Sequence, residues 1–375
     1  MDTVSTEHVQ EDESNKPLNR PYYQQTLPSW SPLLTPWRAA GGYLLIALIF
    51  VPLGAVLLAD LSTNVELRYQ YDGDGSDGDG CKISEYREGK ACTITFNVTE
   101  DMSGPVYVYY ELTNFYQNHA TYVDSYYQSQ LQGSLSTSDA SDECDPLVYN
   151  GSLVLNPCGL IANSLFNDII TLTSGQEMDE TNIAWNSDVS EKFEQPDGFV
   201  TGACTTGTCA ECLAALGETD ADGGVVFDGC GLYPDENSQT DAYYYPEEDT
   251  FQFLYETFPE VISPLVGVKD EHFIVWMRVS GLKDFRKLYG KIEDGLSAGD
   301  TVTFAVTSNF IVDYYDGTKS IILSTTTALG GRNPYWGRSL LTVGIIMVVV
   351  AALLAVKYKV WPRVMGDITK LVDDA

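Results

Sequence analysis

Positive charge is scarce in this chain. Its 375 residues hold 53 aspartates and glutamates against 21 lysines and arginines, a formal net charge of −32. A surface that acidic repels a phosphate backbone, which excludes nucleic-acid binding. Histidine is rarer still, with three in the chain. There is no Gly-x-Ser-x-Gly elbow, no His-Glu-x-x-His pair and no phosphate loop with its lysine. We therefore expect no catalytic residue, no cofactor and no metal site. The first 38 residues lack an apolar h-region and a small-residue cleavage site, and carry Asp2, Glu7, Glu11, Asp12 and Glu13, so no removed signal peptide is expected. No internal repeat is present.

Charge is missing altogether from two long windows. Residues 39–59 (AAGGYLLIALIFVPLGAVLLA) would form a helix ~31 Å long, and residues 339–356 (SLLTVGIIMVVVAALLAV) one of ~27 Å, both matched to a bilayer core. Tyr335, Trp336 and Tyr358 flank the second window, as interface aromatics do. The chain reads as a two-span membrane protein. Arg20 and Arg38 precede the first span against Arg68 after it; Lys357, Lys359, Arg363 and Lys370 follow the second against Arg332 and Arg338 before it. The positive-inside rule then puts both termini in the cytosol and residues 60–338 in the lumen or outside the cell. The expected division is a tail over 1–38, a span over 39–59, an ectodomain over 60–338, a span over 339–356 and a tail over 357–375. Only five acids precede the first span and three follow the second, so nearly all the negative charge lies in the ectodomain.

Cysteine is absent from both tails. All eight (Cys81, Cys92, Cys144, Cys158, Cys204, Cys209, Cys212 and Cys230) lie between the spans, an even count that fits disulfides in an oxidising compartment. Cys81 with Cys92 and Cys144 with Cys158 would close local loops; the other four allow three connectivities. Plant-type iron-sulfur spacing and a redox pair at Cys209-x-x-Cys212 are both set aside, because neither suits a lumenal domain. Two sequons, at Asn97 and Asn150, lie on the same side.

The ectodomain reads as a β-rich, antiparallel, sandwich-like fold with a few short helices. In CTITFNVTE, Ile94, Phe96 and Val98 alternate with polar residues, leaving Asn97 on the outer face. PVYVYYEL, FIVWMRVSG and TVTFAVTSNFIVDYY read as strands, and NFIVDYYDGTKSIILS as two strands joined by Asp316-Gly317. In LKDFRKLYGKIEDGL, Leu282, Phe285, Leu288 and Ile292 recur at helical spacing, with Lys283, Arg286, Lys287 and Lys291 on a solvated face paired to local acids. Residues 174–250, rich in Gly, Asp, Glu, Thr and Ser, read as long loops or an insertion. DGDGSDGDG fits neither a dinucleotide loop nor an EF-hand and reads as a flexible acidic linker from Asp72. His119 is expected to be a hydrogen-bonded packing residue.

The stretch YYELTNFYQNHATYVDSYYQSQL, from Tyr109, resembles the hallmark segment of the cell division control protein 50 family. QQTLPSWSP (Gln24 to Pro32), PCGLIANSLFND (Pro157 to Asp168), IAWNSD (Ile183 to Asp188), FIVWMRVSGLKDFRKLYGKIEDGLSAGD (Phe273 to Asp300) and ILSTTTALGGRNP, ending at Pro334, extend the resemblance in order along the chain. Asn186, Ile169 and the segment from Cys204 to Cys230 depart from the family pattern.

The resemblance implies a glycosylated, non-catalytic accessory subunit of a type IV P-type ATPase phospholipid flippase, forming a heterodimer among membrane lipids in the endoplasmic reticulum, Golgi, endosome or plasma membrane. It makes Cys144–Cys158 a family disulfide and Tyr109 to His119 scaffold or docking surface. Candidate partner contacts are Gln24, Gln25, Leu27, Pro28 and Trp30 before the first span, and Asn114, Tyr116, Asn118 and His119 in the ectodomain. The competing reading is a two-span ligand-gated channel, against which stands the apolar end of the second span beyond Ser339, Thr342 and Gly344.

Overall fold

In a computed structural model, the described residues are 19–27, 35–61, 63–76, 79–138, 140–204, 207–215, 229–234, 240–327, 330–331 and 333–362. They fall into two compact units, one of residues 1–58 and 335–375, the other of residues 59–334. The helices are α1 (Pro36–Leu61), α2 (Ala120–Asp124), α3 (Gln128–Leu131), α4 (Ala140–Glu143), α5 (Asn186–Glu191), α6 (Cys209–Ala215), α7 (Leu254–Thr257), α8 (Glu271–Met277) and α9 (Pro334–Val360).

Helices α1 and α9 contain the two uncharged windows and are long and apolar enough to cross a membrane. Within their unit they run antiparallel and touch through glycine. A Cβ on Gly54 would stand 2.8 Å from the Leu341 nitrogen, one on Gly337 2.8 Å from Leu58 Cγ, and one on Gly344 2.7 Å from Val51 Cγ2. Small residues let the backbones close in where lipid gives no hydrophobic drive to association.

The second unit is built on strands β1 (Glu66–Asp72), β2 (Lys90–Asn97), β3 (Val106–Leu112), β4 (Tyr149–Asn150), β5 (Leu153–Asn156), β6 (Ile169–Leu172), β7 (Val200–Ala203), β8 (Gly231–Pro234), β9 (Thr240–Tyr244), β10 (Phe251–Phe253), β11 (Phe285–Ile292), β12 (Thr301–Ser308) and β13 (Lys319–Ser324). One antiparallel sheet has the order β1-β13-β3-β11 and another the order β2-β12-β6. Every second residue of β3 (Val106, Val108, Tyr110, Leu112) is buried, as are Ile94, Phe96 and Val98, and both sets join one core with Val302, Phe304, Ile321 and Leu323. Alternation therefore selects the core face as expected. The β10-β5 pair is parallel.

Four expectations are corrected. FIVWMRVSG is helix α8: Asp270 Oδ1 accepts the Phe273 N–H at 3.0 Å and starts the helix, whose Phe273, Ile274 and Trp276 face inward. Short apolar runs carry no decisive period, and the cap decides. Conversely, LKDFRKLYGKIEDGL contains strand β11. A register shift between Leu288 and Gly290 moves burial from Phe285, Lys287 and Tyr289 to Gly290 and Ile292, which puts the apolar Phe285 and Ile292 seven apart as a helix would. Leu282, counted in that helical stripe, lies before the strand and is 72% exposed.

The segment around Asp316-Gly317 is not a hairpin, since β12 and β13 belong to different sheets. Asn309 and Phe310 leave the ladder because their N–H groups donate to Asp168 Oδ1, each at 2.6 Å, and the chain crosses between sheets. The described residues between 174 and 250 are more ordered than expected, with a β7-β9-β8 sheet and α6 around Cys204, Cys209, Cys212, Leu213 and Ala242. The disulfides are Cys81–Cys92, Cys144–Cys158, Cys204–Cys212 and Cys209–Cys230.

Candidate functional site

The stretch after β3 is sewn to two other loops. The Asn114 N–H donates to Asp284 Oδ1 at 2.9 Å, Asn114 Nδ2 to the Tyr315 carbonyl, and the Phe115 N–H to the Lys283 carbonyl at 3.0 Å. Asn114 has φ of 59°, the left-handed turn that asparagine tolerates. Phe115 then packs on Tyr122, Trp276, Phe285, Phe310 and Tyr315. Gln117 is fully buried and accepts the Ser280 N–H at 2.8 Å, while Asn118 Nδ2 donates to the Gly281 carbonyl at 3.1 Å.

Tyr116, Asn118 and His119 turn outward; Tyr116 is 54% exposed. His119 is thus not the packing residue expected. Its carbonyl accepts the Tyr122 and Val123 N–H groups of α2 and its ring makes no cap, so the interior role passes to Phe115 and Gln117. The outward residues continue onto Leu282 through the Asn118–Gly281 bond and onto Arg278 through Ser280.

Beyond Ser280 the surface is organised by IAWNSD. Asp188, buried, accepts a hydrogen bond from Arg278 Nε and is ion-paired with Lys192 Nζ, both at 2.8 Å, and the Arg278 hydrogen bond is the main reason its carboxyl is held below the usual range. The Arg278 guanidinium lies 4.2 Å from the centre of the Trp185 ring, which is 64% exposed. Beside this stack is a hollow of about 400 Å³ lined by Ile183, Trp185, Asp188, Arg278, Val279 and Ser280 among others. Trp185 and Arg278 were not singled out from sequence, and Leu282 only as a member of the helical stripe; an aromatic followed by polar residues in IAWNSD was the available signal.

Of the four basic residues near β11, three pair with acids as expected: Arg286 with Glu66 at 2.9 Å, Lys291 with Asp179 at 3.1 Å, and Lys283 with Asp284 at 3.0 Å. Lys287 does not. Its buried Nζ donates to the carbonyls of Val275, Trp276 and Arg278, closing the C-terminal end of α8, and burial drives its ammonium down to about 7.

The acidic run also has a structural member. Asp72 ends β1 inside the protein, where its carboxylate faces Lys319 at 3.1 Å, and Lys319 faces Asp168 at 2.8 Å. Tyr71 donates to Asp168 at 2.7 Å; burial, then that carboxylate, push its phenol well above the ordinary value. Asp72 is therefore not part of a flexible linker. A backbone carbonyl lies where a Cβ on Gly73 would go, 2.4 Å from Gly317 O, and its φ of 91° also favours glycine.

Gln24 and Gln25 form a local turn, with the Gln24 N–H on the Arg20 carbonyl at 3.0 Å, and Leu27 is exposed. Pro28 and Trp30 lie outside the described residues. Asn97 and Asn150 are exposed, and Asn150 Nδ2 donates to Gln252 Oε1 at 2.8 Å.

Two apolar helices of spanning length around a disulfide-bonded, β-rich domain define a class of membrane-anchored ectodomain proteins. Within it, the family model described as the LEM3 (ligand-effect modulator 3) family / CDC50 family matches residues 57–364, and the chain belongs to that family. The family read from the Tyr109 segment is the one found. The chain is 33% identical to ALA-interacting subunit 3 of Arabidopsis thaliana, over 94% of this chain and 89% of the relative. It is 33% identical to Cell cycle control protein 50A of Mus musculus, over 92% and 89%. It is 28% identical to the Phospholipid-transporting ATPase accessory subunit CRF1 of Saccharomyces cerevisiae, over 94% and 88%.

Proposed function

We propose that this chain is a non-catalytic accessory subunit of a phospholipid-translocating type IV P-type ATPase, forming a heterodimer that supports the ATPase's folding, export from the endoplasmic reticulum and lipid transfer to the cytosolic leaflet. The observation that carries this reading is family membership across residues 57–364, with a relative named as a phospholipid-transporting ATPase accessory subunit. The division into tails, spans and ectodomain at residues 38, 59, 338 and 356 goes with it. So does the orientation, with both termini cytosolic, for which Lys357 and Lys359 after the second uncharged window speak.

Glycans on Asn97 and Asn150, and residence in the secretory and endosomal membranes, belong to the same proposal. For the partner contacts, we assign Gln24, Gln25, Leu27, Pro28 and Trp30 to the cytosolic side. Asn114, Tyr116, Asn118 and His119 form the ectodomain patch, with Leu282 and Trp185 extending it. Exposed aromatic side chains beside a charged rim suit a protein interface. The relatives named above carry no channel name, and the channel reading has no further support.

Purification of the full-length protein from its own membranes in mild detergent, followed by mass spectrometry and native sizing, tests this. A large P-type ATPase at near one-to-one stoichiometry is the expected result. A homo-trimer without an ATPase overturns it.

A further inference from the structure

Where the start of α1 meets the end of α9, the helix pair opens into a cavity of about 800 Å³ lined by Thr35, Trp37, Arg38, Ala355, Val356, Tyr358 and Lys359. All lining residues belong to the same compact unit as the two helices. The composition is specific: two cations, a hydroxyl, two exposed amphipathic rings and an aliphatic floor, with no carboxylate among the described lining residues. Among the described residues, Lys359 makes no ion pair. α1 also begins here, with Thr35 Oγ1 accepting the Arg38 N–H at 3.4 Å, so the positive end of a 26-residue helix faces the same region.

We propose that this cavity binds the headgroup of an anionic phospholipid. Arg38 supplies a planar fork for phosphate oxygens, Lys359 a point charge and Thr35 a hydroxyl donor. Trp37 and Val356 cover the glycerol and the first methylenes. Depth agrees with this occupant. A helix of 26 residues is ~39 Å long and exceeds a ~30 Å hydrocarbon core. Arg38 and Lys359 stand just outside the uncharged windows, at the level of the phosphates, where a basic pocket between spanning helices holds acidic headgroups. A soluble anion has no use for the apolar floor, and a lipid without net charge has none for the cations. Only the leaflet read by the site rests on the proposed orientation; the binding itself does not.

The test uses the full-length chain, alone and with whatever ATPase co-purifies, in phosphatidylcholine vesicles containing a photoactivatable phosphatidic acid. Crosslinked peptides are mapped by mass spectrometry. We expect label on peptides spanning residues 35–38 and 355–359, in both preparations, removed by unlabelled phosphatidic acid. R38Q with K359Q should cut labelling roughly 25-fold, about five-fold for each cation removed. The charge-conserving pair R38K with K359R should retain labelling within about three-fold, which separates lost charge from lost fold. Equal competition by phosphatidylcholine, or labelling unchanged in R38Q/K359Q, overturns the proposal. Displacement by millimolar inorganic phosphate assigns a free-anion site instead, and labelling confined to the chain without ATPase assigns a protein contact; either also overturns it. A chain that brings no ATPase still returns a result, so failure of the accessory reading stays distinguishable.

Discussion

Lys319 Nζ lies 2.8 Å from Asp168 Oδ2, with both side chains fully buried. Asp168 also holds the Asn309 and Phe310 N–H groups where the chain leaves one sheet for the other, so the ion pair ties the crossover to both sheets. Lys319→Met would leave Asp72 and Asp168 buried without a counter-charge, a loss of about 3–5 kcal/mol. Thermal unfolding of the full-length protein in detergent should show a midpoint lower by roughly 6–15 °C. Lys319→Met with Asp168→Asn should cost less than the sum of the singles, because the two groups share one interaction. Strict additivity would show that they act independently.

Neighbouring aromatics should behave in opposite ways. Phe115→Ala removes a ring packed on Trp276, Phe285 and Phe310 and should destabilise the ectodomain by about 3 kcal/mol. Tyr116→Ala, on the outer side, should change stability by no more than about 0.5 kcal/mol yet lower ATPase recovery in a pull-down. Unchanged recovery would remove Tyr116 from the proposed contact surface.

Lys287 gives a pH dependence with a definite sign. Its folded-state value of about 7 lies below the ordinary lysine value, so the unfolded chain binds the proton more tightly. The destabilisation is complete below pH 7 and is relieved as pH rises from there toward the ordinary lysine range. Stability should therefore climb between pH 7 and 9.5, by at most about 1.4 kcal/mol per unit from this group. Unfolding midpoints across that range should rise less steeply in Lys287→Met. Parallel slopes would mean that the carbonyls at the end of α8 keep the ammonium charged.

The helix pair should resist enlargement at its contact line. Gly54→Val would press side-chain atoms onto Leu341 and Gly337, costing about 1–3 kcal/mol of packing. Leu53→Val, one position away on an exposed part of α1, serves as control. A disulfide-trapping assay between cysteines introduced in α1 and α9 should show weaker crosslinking for Gly54→Val alone.

Much of the ectodomain was legible because alternation survives in one dimension. Ile94, Phe96 and Val98 point to one face whatever they pack against, and the local pairs Cys81–Cys92 and Cys144–Cys158 follow from short separation. The candidate surface was only half legible. Asn114 to His119 attracted notice as a dense aromatic and amide run, but Phe115 and Gln117 turn inward while Tyr116 and His119 turn outward. That division is set by bonds to Ser280, Gly281 and Lys283, far away in sequence.

From the sequence alone come the two spans, the cysteine-bearing segment between them and the family, since length without charge and ordered motifs are properties of the chain itself. The tertiary structure decided the rest. It made FIVWMRVSG a helix and the following basic segment a strand, because Asp270 caps one and a bulge at Gly290 breaks the alternation of the other. It buried Asp72 opposite Lys319, 247 positions apart by numbering. Local sequence encodes which face is apolar, whereas burial of a charge depends on the distant partner that compensates it.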